Sequence, residues 1–232
     1  MEFRSRMTVR LVKSVANDAD VAKAARVSTI GSESLERELP TEGLINFLMR
    51  DRHGSPFEHN SMTFLVQAPI FVAREHFRHR AGWSYNEESA RYRELKPSFY
   101  IPAEDRNLVQ VGKPGAYTFE PGTFQHRGSL LGSMRVAYGE SYRQYLNMLE
   151  DGIAREVARC VLPVGTYTSY YATCNARSLM HFLSLRTIRE GSAFPSFPQR
   201  EIEMVAEGME REFQSLMPHT HAAYEKNGRV AP

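Results

Sequence analysis

The stretch SMTFLVQAPIFVAREHFRHR, residues 61–80, passes from a strand pattern to a helix pattern and sets the class of fold. Over residues 61–67, apolar Met, Phe and Val alternate with Thr, Leu and Gln, which predicts a strand buried mainly on one face. Pro69 suits the first position of a helix, and the pattern that follows predicts a helix through Arg80 that Gly82 ends. Together with the rest of the chain, in which strands are few and do not alternate regularly with helices, this favours an α+β fold over a doubly wound sheet.

Outward from this stretch, strand and helix patterns recur without an internal repeat. Further strands are predicted over residues 7–15 and 164–174, and turn residues predict a loop over 53–59. Capping residues and apolar stripes predict helices over residues 18–29, 41–50, 129–151, 153–162, 177–186 and 199–216. Pro and Gly are frequent from 96 to 128, which predicts a long irregular segment. The predicted architecture is a mixed sheet flanked by helical clusters.

Length and charge are those of an ordinary globular protein. The chain has 232 residues and a formal net charge of +2, which gives no general affinity for nucleic acid. We expect a single domain over residues 1–232; if Met7 is the start, residues 1–6 are a dispensable extension. The sequence has neither an apolar run of membrane-spanning length nor a secretory signal, so we expect a cytoplasmic protein that binds no membrane.

The cysteines and histidines do not form a metal-binding pattern. Cys160 and Cys174 are too few for a disulfide framework or a Cys-rich metal site, which also favours a reducing compartment. Cys160 falls on a predicted helix among apolar neighbours, without an obvious activating base. His53 and His79 suit stacking or hydrogen bonding against an aromatic ligand better than metal binding. We therefore expect no metal.

The densest polar segment is RHRAGWSYNEESARYREL, residues 78–95. Arg74 and Arg78 are four residues apart, so on the predicted helix they share one face and either meet solvent or share an anion such as a phosphate. If residues 89–95 are extended, Ser89, Arg91 and Arg93 point to one side and form a cradle for phosphate or carbonyl oxygen. A solvated helix end followed by a charged edge strand is the structural alternative for this segment.

A second polar group surrounds the predicted helix over residues 177–186. Asn175 or Ser178 suits the capping position, where free backbone N–H groups favour anions. Arg186 lies on the apolar stripe of this helix, and a guanidinium there needs a carboxylate or a ligand. An intramolecular salt bridge and a bound anion are both open at this point.

Taken in order, these segments resemble those of the flavin-dependent thymidylate synthases. The string Arg78-His79-Arg80, eight residues and Ser89-Ala90-Arg91-Tyr92 resembles the family signature, with one residue more than its commonest form. The resemblance extends over roughly residues 50–205. The other matching blocks are His53-x-Ser55-Pro56-Phe57-Glu58-His59, APIFVAREHFRHR, VARCVLPVGTYT, NARSLMHFLSLR and Gln199-x-Glu201-Ile202.

The resemblance implies an activity, cofactors and an assembly. Such enzymes convert dUMP to dTMP with 5,10-methylenetetrahydrofolate as carbon donor and FADH₂, regenerated by NADPH, as hydride donor. They use no cysteine nucleophile, and their α+β fold forms a homotetramer whose active sites are shared between subunits. On this resemblance the expected partners are dUMP and other copies of the chain, with no nucleic acid and no membrane.

The resemblance also implies roles for individual residues. The FAD-binding residues would be His53, Ser55, Arg78, His79, Arg80, Glu87, Asn175, Arg177 and His181. The dUMP-binding residues would be Glu75, Arg78, Glu87, Glu88, Ser89, Ala90, Arg91, Arg159 and Arg186. Arg186 would be catalytic, because it would stabilise the uracil ring ionised at N3 and so raise electron density at C5.

Several departures from the family pattern keep alternatives open. Glu75 stands where Gln is familiar, and it has Arg74, Arg78 and Arg91 as candidate ion-pair partners. His181 stands where Asn is frequent, and the segments 96–128 and 187–198 match poorly or are longer than usual. One alternative is a relative that binds FAD or nucleotide without turnover. Another is a module for single-stranded nucleic acid with Trp83, Tyr85 and Tyr92 as stacking platforms.

Overall fold

The structure, a computed structural model, describes residues 1–113 and 116–232. The strands are β1 Glu2–Arg4, β2 Thr8–Val15, β3 Ser61–Pro69, β4 Trp83–Glu87, β5 Ser98–Tyr100, β6 Val109–Lys113, β7 Ala116–Glu120 and β8 Tyr167–Cys174. The α-helices are α1 Asp18–Ile30, α2 Glu42–Arg50, α3 Ile70–His76, α4 Phe124–Glu150, α5 Arg155–Ala158, α6 Ala176–Arg186, α7 Arg200–Leu216 and α8 Pro218–Lys226. Short 3₁₀ turns cover Gly31–Leu35, Ser55–Glu58 and Arg159–Val161. This mixture of helices and strands confirms the α+β class.

The described residues divide into two compact units, each assembled from separate stretches of chain. Unit 1 consists of Met1–Arg6, Pro69–Phe71 and Glu88–Thr168. Unit 2 consists of Met7–Ala68, Val72–Glu87 and Ser169–Pro232. A single domain over residues 1–232 stays a prediction. Residues 1–6, considered above as an extension, contribute β1 to unit 1.

Unit 2 is built on a sheet with strand order β2-β3-β8-β4, in which β2 pairs antiparallel with β3 and β4 antiparallel with β8. The alternation in β3 is confirmed, because Met62, Phe64 and Val66 are fully buried. Helix α7 packs against β2 at Gly208, where an added Cβ would collide with the side chain of Val9. Burying each of the apolar side chains on the inner face of β3 contributes about 1.5–3 kcal/mol to stability, so this face is a main part of the core of unit 2.

Unit 1 contains a parallel pair, β1 with β5, and a hairpin, β6 with β7. Helix α4 begins after Thr123, whose side chain accepts from the backbone N–H of His126 in a capping box. Tyr138 of α4 stacks on Phe99 of β5, with ring centroids 4.9 Å apart. These contacts tie the long helix to the parallel pair.

Several predicted boundaries were wrong. The irregular segment 96–128 contains β5, the hairpin and the start of α4, while Pro114 and Gly115 lie outside the described residues. The helix predicted over 153–162 is helical at Arg155–Ala158 and continues as a 3₁₀ turn, so Cys160 is exposed there rather than packed among apolar neighbours. The sequence patterns also missed β4 and α8, which are short elements with weak periodicity.

Each helix in residues 1–113 and 116–232 is too short or too polar to cross a membrane.

Candidate active site

Helix α3 ends at His76, four residues earlier than predicted, and a tight turn carries Arg78-His79-Arg80. In this turn the backbone N–H of His79 donates to the carbonyl of His76 at 3.0 Å. The hydroxyl of Tyr85, on β4, donates to the carbonyls of His76 and His79 at 3.0 and 2.8 Å. The prediction that Arg74 and Arg78 share a helix face is therefore wrong, because Arg78 follows the helix.

The base of this turn is a buried aromatic cluster around His76. Its Nδ1 lies 3.0 Å from the hydroxyl of Tyr170, and its ring stacks on Phe182 at 4.6 Å. The ring of Trp83 meets the His76 ring edge-on and stacks on the ring of Tyr85. Trp83 and Tyr85 therefore pack against other side chains of the cluster rather than forming open stacking platforms. Burial lowers the pKa of His76 well below its ordinary value, so the ring is neutral and the cluster acts as an apolar floor.

Arg186, the last residue of α6, is held on two sides by residues of α3 and its turn. Its Nη1 lies 3.2 Å from Glu75 Oε2, and its Nε donates to His79 Nε2 at 3.2 Å. The expectation that this arginine needs a carboxylate or a ligand is met by a carboxylate within the chain. The expectation that Glu75 pairs with Arg74, Arg78 or Arg91 is wrong, because Glu75 pairs with Arg186.

Burial and charge set the protonation of this group. Burial, and then the charge of Arg186, lower the pKa of His79 to about 4, so at neutral pH its Nε2 is a neutral acceptor. Burial raises the pKa of Glu75, Arg186 opposes the shift, and the nearby Glu201 adds to it. The group consists of a half-buried carboxylate, a neutral imidazole and a guanidinium. The partly exposed guanidinium of Arg186 can also pair with an incoming anion.

At the opposite end of α6 from Arg186, the N-terminus of the helix opens onto a cleft of about 370 Å³. The side chain of Asn175 caps the helix by accepting from the N–H of Ser178 at 2.9 Å, as predicted for this position. Gly82 has a φ of +70°, and an added Cβ would collide with Ser178 Oγ, so the turn approaches the helix closely. The cleft is lined by Glu58, Ala81, Gly82, Asn175, Arg177, Ser178, His181, Ala231 and Pro232.

Arg177 is the main cation of this cleft. Its Nη1 lies 2.5 Å from Glu58 Oε1, and its Nε donates to the carbonyl of Pro232 at 2.6 Å. A Cβ added at Gly54 would collide with this guanidinium, so the turn before Ser55 lies directly against it. The guanidinium, a helix N-terminus and a close-packed glycine turn together suit a ligand with phosphate groups.

Some of the residues predicted to bind FAD line this cleft. Within the described residues, Asn175, Arg177 and His181 line it, whereas His53, Ser55, Arg78, His79, Arg80 and Glu87 lie outside its lining. The His53 ring is exposed and stacks on Phe47 at 5.6 Å, and Ser55 begins the 3₁₀ turn Ser55–Glu58. Glu87 is the exposed last residue of β4, in register with Tyr170.

The remaining residues predicted to bind dUMP belong to unit 1. Residues 89–95 form a turn rather than an extended segment, because the N–H groups of Tyr92 and Arg93 donate to the carbonyl of Ser89. Arg91 pairs with Glu156 of α5 at 3.0 Å, and both side chains are half exposed. The others are Glu88 and the buried Ala90, which flank Ser89 in this turn, and Arg159, which begins the 3₁₀ turn Arg159–Val161.

Some residues support the site in roles that the sequence patterns did not predict. Tyr85 and Tyr170 hold the turn and the ring of His76, and Asn60 accepts from the N–H of Ala176 at 2.8 Å. The run of Tyr and Thr in β8 was the available signal for Tyr170. Asn60 follows directly on a matched block, but its partner lies 116 residues away.

A separate cluster in unit 2 joins Glu210, His221, Glu225 and Arg229. Ligand atoms of the first three lie within 4.8 Å of one another, a spacing that a metal ion would accept. The guanidinium of Arg229 already pairs with Glu210 at 2.5 Å and with Glu225 at 3.2 Å. The cluster is therefore an internal ion-pair network.

Known proteins similar to this chain point in one direction. A family model described as thymidylate synthase complementing protein matches residues 10–219. A flavin-dependent thymidylate synthase of Streptomyces coelicolor is 62% identical over 236 residues, covering 100% of this chain and 96% of the relative. One from Tropheryma whipplei is 56% identical over 233 residues, covering 99% and 97%.

Solved structures agree with these relatives. The chain is similar to the crystal structure of PolB, a UMP/dUMP methylase from Streptomyces cacaoi bound with 5-Br dUMP, with a TM-score of 0.95 and 56% identity. The match covers 100% of both chains. The same methylase bound with 5-Br UMP matches with a TM-score of 0.93.

Proposed function

The chain belongs to the family of flavin-dependent thymidylate synthases, and we propose that it catalyses the reductive methylation of dUMP to dTMP. The observation that carries the proposal is the likeness of the whole chain to a methylase crystallised with 5-Br dUMP, at a TM-score of 0.95. The Arg186–Glu75–His79 group supports it, because a guanidinium exposed to one side suits an anionic pyrimidine.

The cleft of unit 2 suits the phosphate groups of a flavin dinucleotide. Its Gly82 turn leaves no room for a side chain, and Arg177, in the first turn of α6, offers N–H donors and a positive charge for a pyrophosphate. When bound and reduced, the flavin supplies the hydride. The residues we propose to hold FAD are His53, Ser55, Arg78, His79, Arg80, Glu87, Asn175, Arg177 and His181.

The substrate dUMP carries a phosphate and a ring that becomes more nucleophilic when its N3 is ionised. We assign Arg186 to the ring, where its half-buried charge stabilises negative charge on N3 and raises electron density at C5. Ser89 binds and orients dUMP rather than attacking it. The residues proposed for dUMP are Glu75, Arg78, Glu87, Glu88, Ser89, Ala90, Arg91, Arg159 and Arg186.

The reaction needs no cysteine nucleophile. Burial raises the pKa of Cys174, which therefore stays a thiol, and Cys160 is exposed on a 3₁₀ turn. The carbon donor is 5,10-methylenetetrahydrofolate, and NADPH reduces the flavin. The two free thiols suit the cytoplasm, where we expect the enzyme to act.

The direct test is the spectrum and the activity of the purified protein. We expect a yellow protein whose flavin absorbance changes on titration with dUMP. With NADPH and 5,10-methylenetetrahydrofolate present, it should release tritium from dUMP labelled at C5 and form dTMP. A colourless protein that takes up no added FAD would refute the proposal. UMP should be assayed in parallel, since the similar methylase binds analogues of both nucleotides.

The proposed assembly is a homotetramer whose active sites are shared between subunits. A tetramer should have four times the chain mass of 26.5 kDa in sedimentation experiments. Sharing is tested by mixing inactive Arg91→Ala and Arg186→Ala chains during refolding. If the two residues come from different subunits in one site, mixed tetramers regain part of the activity. Activity that stays absent would contradict the sharing of these two residues.

A further inference from the structure

We propose that Glu75 is the proton acceptor for the uracil ring: its carboxylate takes the proton from N3 while Arg186 pairs with the ring anion that forms. This inference rests on the proposed function, because it takes dUMP as the substrate. It goes further in assigning a destination to the proton. It also gives a chemical role to the residue at which this chain departs from the family pattern.

The contacts of Arg186 supply the first argument. Glu75 and His79 hold its guanidinium at 3.2 Å each, and Glu75 is the one of these two that carries a negative charge. The side chains of Arg186 and Glu75 remain 23% and 26% exposed, so a ring that reaches the guanidinium also reaches the carboxylate. A base must lie within hydrogen-bond reach of its proton, and this pairing places the carboxylate beside the cation that attracts N3.

The surrounding charges supply the second argument. The groups that face Glu75 are Arg186 from α6, Glu201 from α7 and, beyond the guanidinium, His79 from the turn after α3. His79 is neutral at neutral pH because burial and Arg186 lower its pKa to about 4. An ionised ring beside an ionised Glu75 would put two anions against one cation, with Glu201 adding a further acidic neighbour. A half-buried site tolerates that arrangement poorly.

Moving the proton to Glu75 removes this excess of negative charge. Burial and Glu201 raise the pKa of Glu75 against the opposing charge of Arg186, so the carboxyl is already biased towards its neutral form. The N3–H bond breaks, its electron pair stays on the ring, and an O–H bond forms on Glu75. The guanidinium exchanges a carboxylate partner for a ring anion. The net charge of the group is unchanged, and no proton leaves for solvent.

The amide in Glu75→Gln cannot accept this proton. The substitution keeps the shape of the side chain and installs the residue familiar in the family, so we expect the holoenzyme to fold and to bind dUMP. Glu207→Gln is the matched control, because Glu207 also pairs with an arginine, Arg200, at 2.9 Å, outside the site. Glu75→Asp retains a carboxylate and should retain the proton transfer at a reduced rate.

Infrared difference spectra of the FAD-loaded holoenzyme, dUMP-bound minus free, test the transfer directly. The wild type, Glu207→Gln and Glu75→Asp should gain a carbonyl band of a protonated carboxylic acid on binding dUMP. Glu75→Gln should lack that band. A wild-type spectrum without the band, or a band that persists in Glu75→Gln, would overturn the inference.

The pH dependence of tritium release from C5 separates a proton acceptor from a residue that only positions Arg186. At neutral pH, Glu75→Gln should be slower by about 10²-fold, as expected for loss of a general base. Its rate should recover as the pH rises and hydroxide replaces the carboxylate, whereas the wild type and Glu207→Gln should stay flat. A loss independent of pH, or no loss, would refute the role.

The two levels of inference fail in different ways. If the wild type forms no dTMP with all substrates present, the proposed function falls. If it forms dTMP but shows neither the acid band nor a pH-dependent defect in Glu75→Gln, the function stands and the role of Glu75 falls.

Discussion

The hydroxyl of Tyr85 lies 2.8 Å from the carbonyl oxygen of His79, and the ring of that histidine holds Arg186. A second bond from the same hydroxyl to the carbonyl of His76 spans the turn after α3. One phenol on β4 thus connects the strand to the residues that hold the proposed catalytic guanidinium.

Tyr85→Phe should loosen this turn without emptying the core. Removing the hydroxyl leaves the carbonyl of His79 without this donor, whereas the carbonyl of His76 keeps the N–H of His79; an acceptor left unpaired in this way costs about 1–3 kcal/mol of stability. We expect weaker FAD binding and slower dTMP formation, measured by flavin retention on dilution and by tritium release. Tyr171→Phe, at an exposed position of β8, is the control and should change neither. Wild-type retention and rate in Tyr85→Phe would show that the turn does not depend on this hydroxyl.

Arg186→Ala should abolish dTMP formation while most of the flavin and the assembly remain. The loss expected for removing an electrostatic stabiliser is about 10²–10³-fold. Arg186→Lys should recover little, because an ammonium lacks the planar fork that reaches Glu75 and His79 in two directions. Flavin absorbance and sedimentation are measured beside activity. If flavin and assembly are lost together with activity, Arg186 is structural.

Gly82→Ala should weaken FAD binding more than it destabilises the fold. The residue has a φ of +70°, and the new Cβ would collide with Ser178 Oγ at the mouth of the cleft. Gly191→Ala is the matched control, since φ there is +79° but its Cβ would meet open space. The dissociation constant for FAD should rise in Gly82→Ala and stay unchanged in Gly191→Ala. Equal effects would assign the defect to backbone strain alone.

Glu210 should make the protein sensitive to acid. Burial would raise the pKa of Glu210, but the hydrogen bond with His221 and the charge of Arg229 outweigh it and lower the pKa to about 2. Because the folded-state pKa is depressed, the stabilisation is complete above the ordinary pKa of 4.5 and is lost as the pH falls from there towards 2. The shift corresponds to roughly 3 kcal/mol.

Urea unfolding at a series of pH values measures this contribution. Glu210→Gln should destabilise the protein at neutral pH by about 3–5 kcal/mol, because it leaves Arg229 partly unpaired in the interior. Its stability should then fall less between neutral pH and acid than that of the wild type. The same acid slope in both proteins would show that Glu210 does not titrate in this range.

Deleting residues 1–6 should lower the stability of unit 1. Residues 2–4 form β1 beside β5, Tyr167 donates to the carbonyl of Arg6 at 3.0 Å, and Arg4 lies over the Tyr167 ring. A loss of about 2 kcal/mol lowers the melting temperature of a protein of this size by about 4–8 °C. Tyr167→Phe separates the hydroxyl from the strand and should cost less. An unchanged melting temperature would identify these residues as dispensable.

The elements with long, regular patterns were predictable from sequence. Strand β3 and helix α6 match their predictions to within two residues at each end, because their apolar periodicity coincides with their buried faces. The need of Arg186 for an anion also followed from its place on an apolar stripe.

What the patterns missed depends on contacts between distant parts of the chain. The helical pattern continues to Arg80, but α3 ends at His76. There the hydroxyl of Tyr85 donates hydrogen bonds to the carbonyls of His76 and His79 in the turn. The sequence suggests arginines closer along the chain as partners of Glu75, whereas its partner Arg186 lies 111 residues away. Strand β5 has three residues, too few to show a period.

The strand order β2-β3-β8-β4 also constrains the order of events during synthesis. Strands β2 and β3 leave the ribosome early, but β8, the neighbour of β3 in the sheet, begins at Tyr167, and unit 2 also needs the C-terminal helices α6, α7 and α8. The apolar face of β3 must therefore wait for more than half of the chain to be translated. Such long-range pairing folds slowly and exposes nascent chains to aggregation, so truncated products are expected to depend on chaperones.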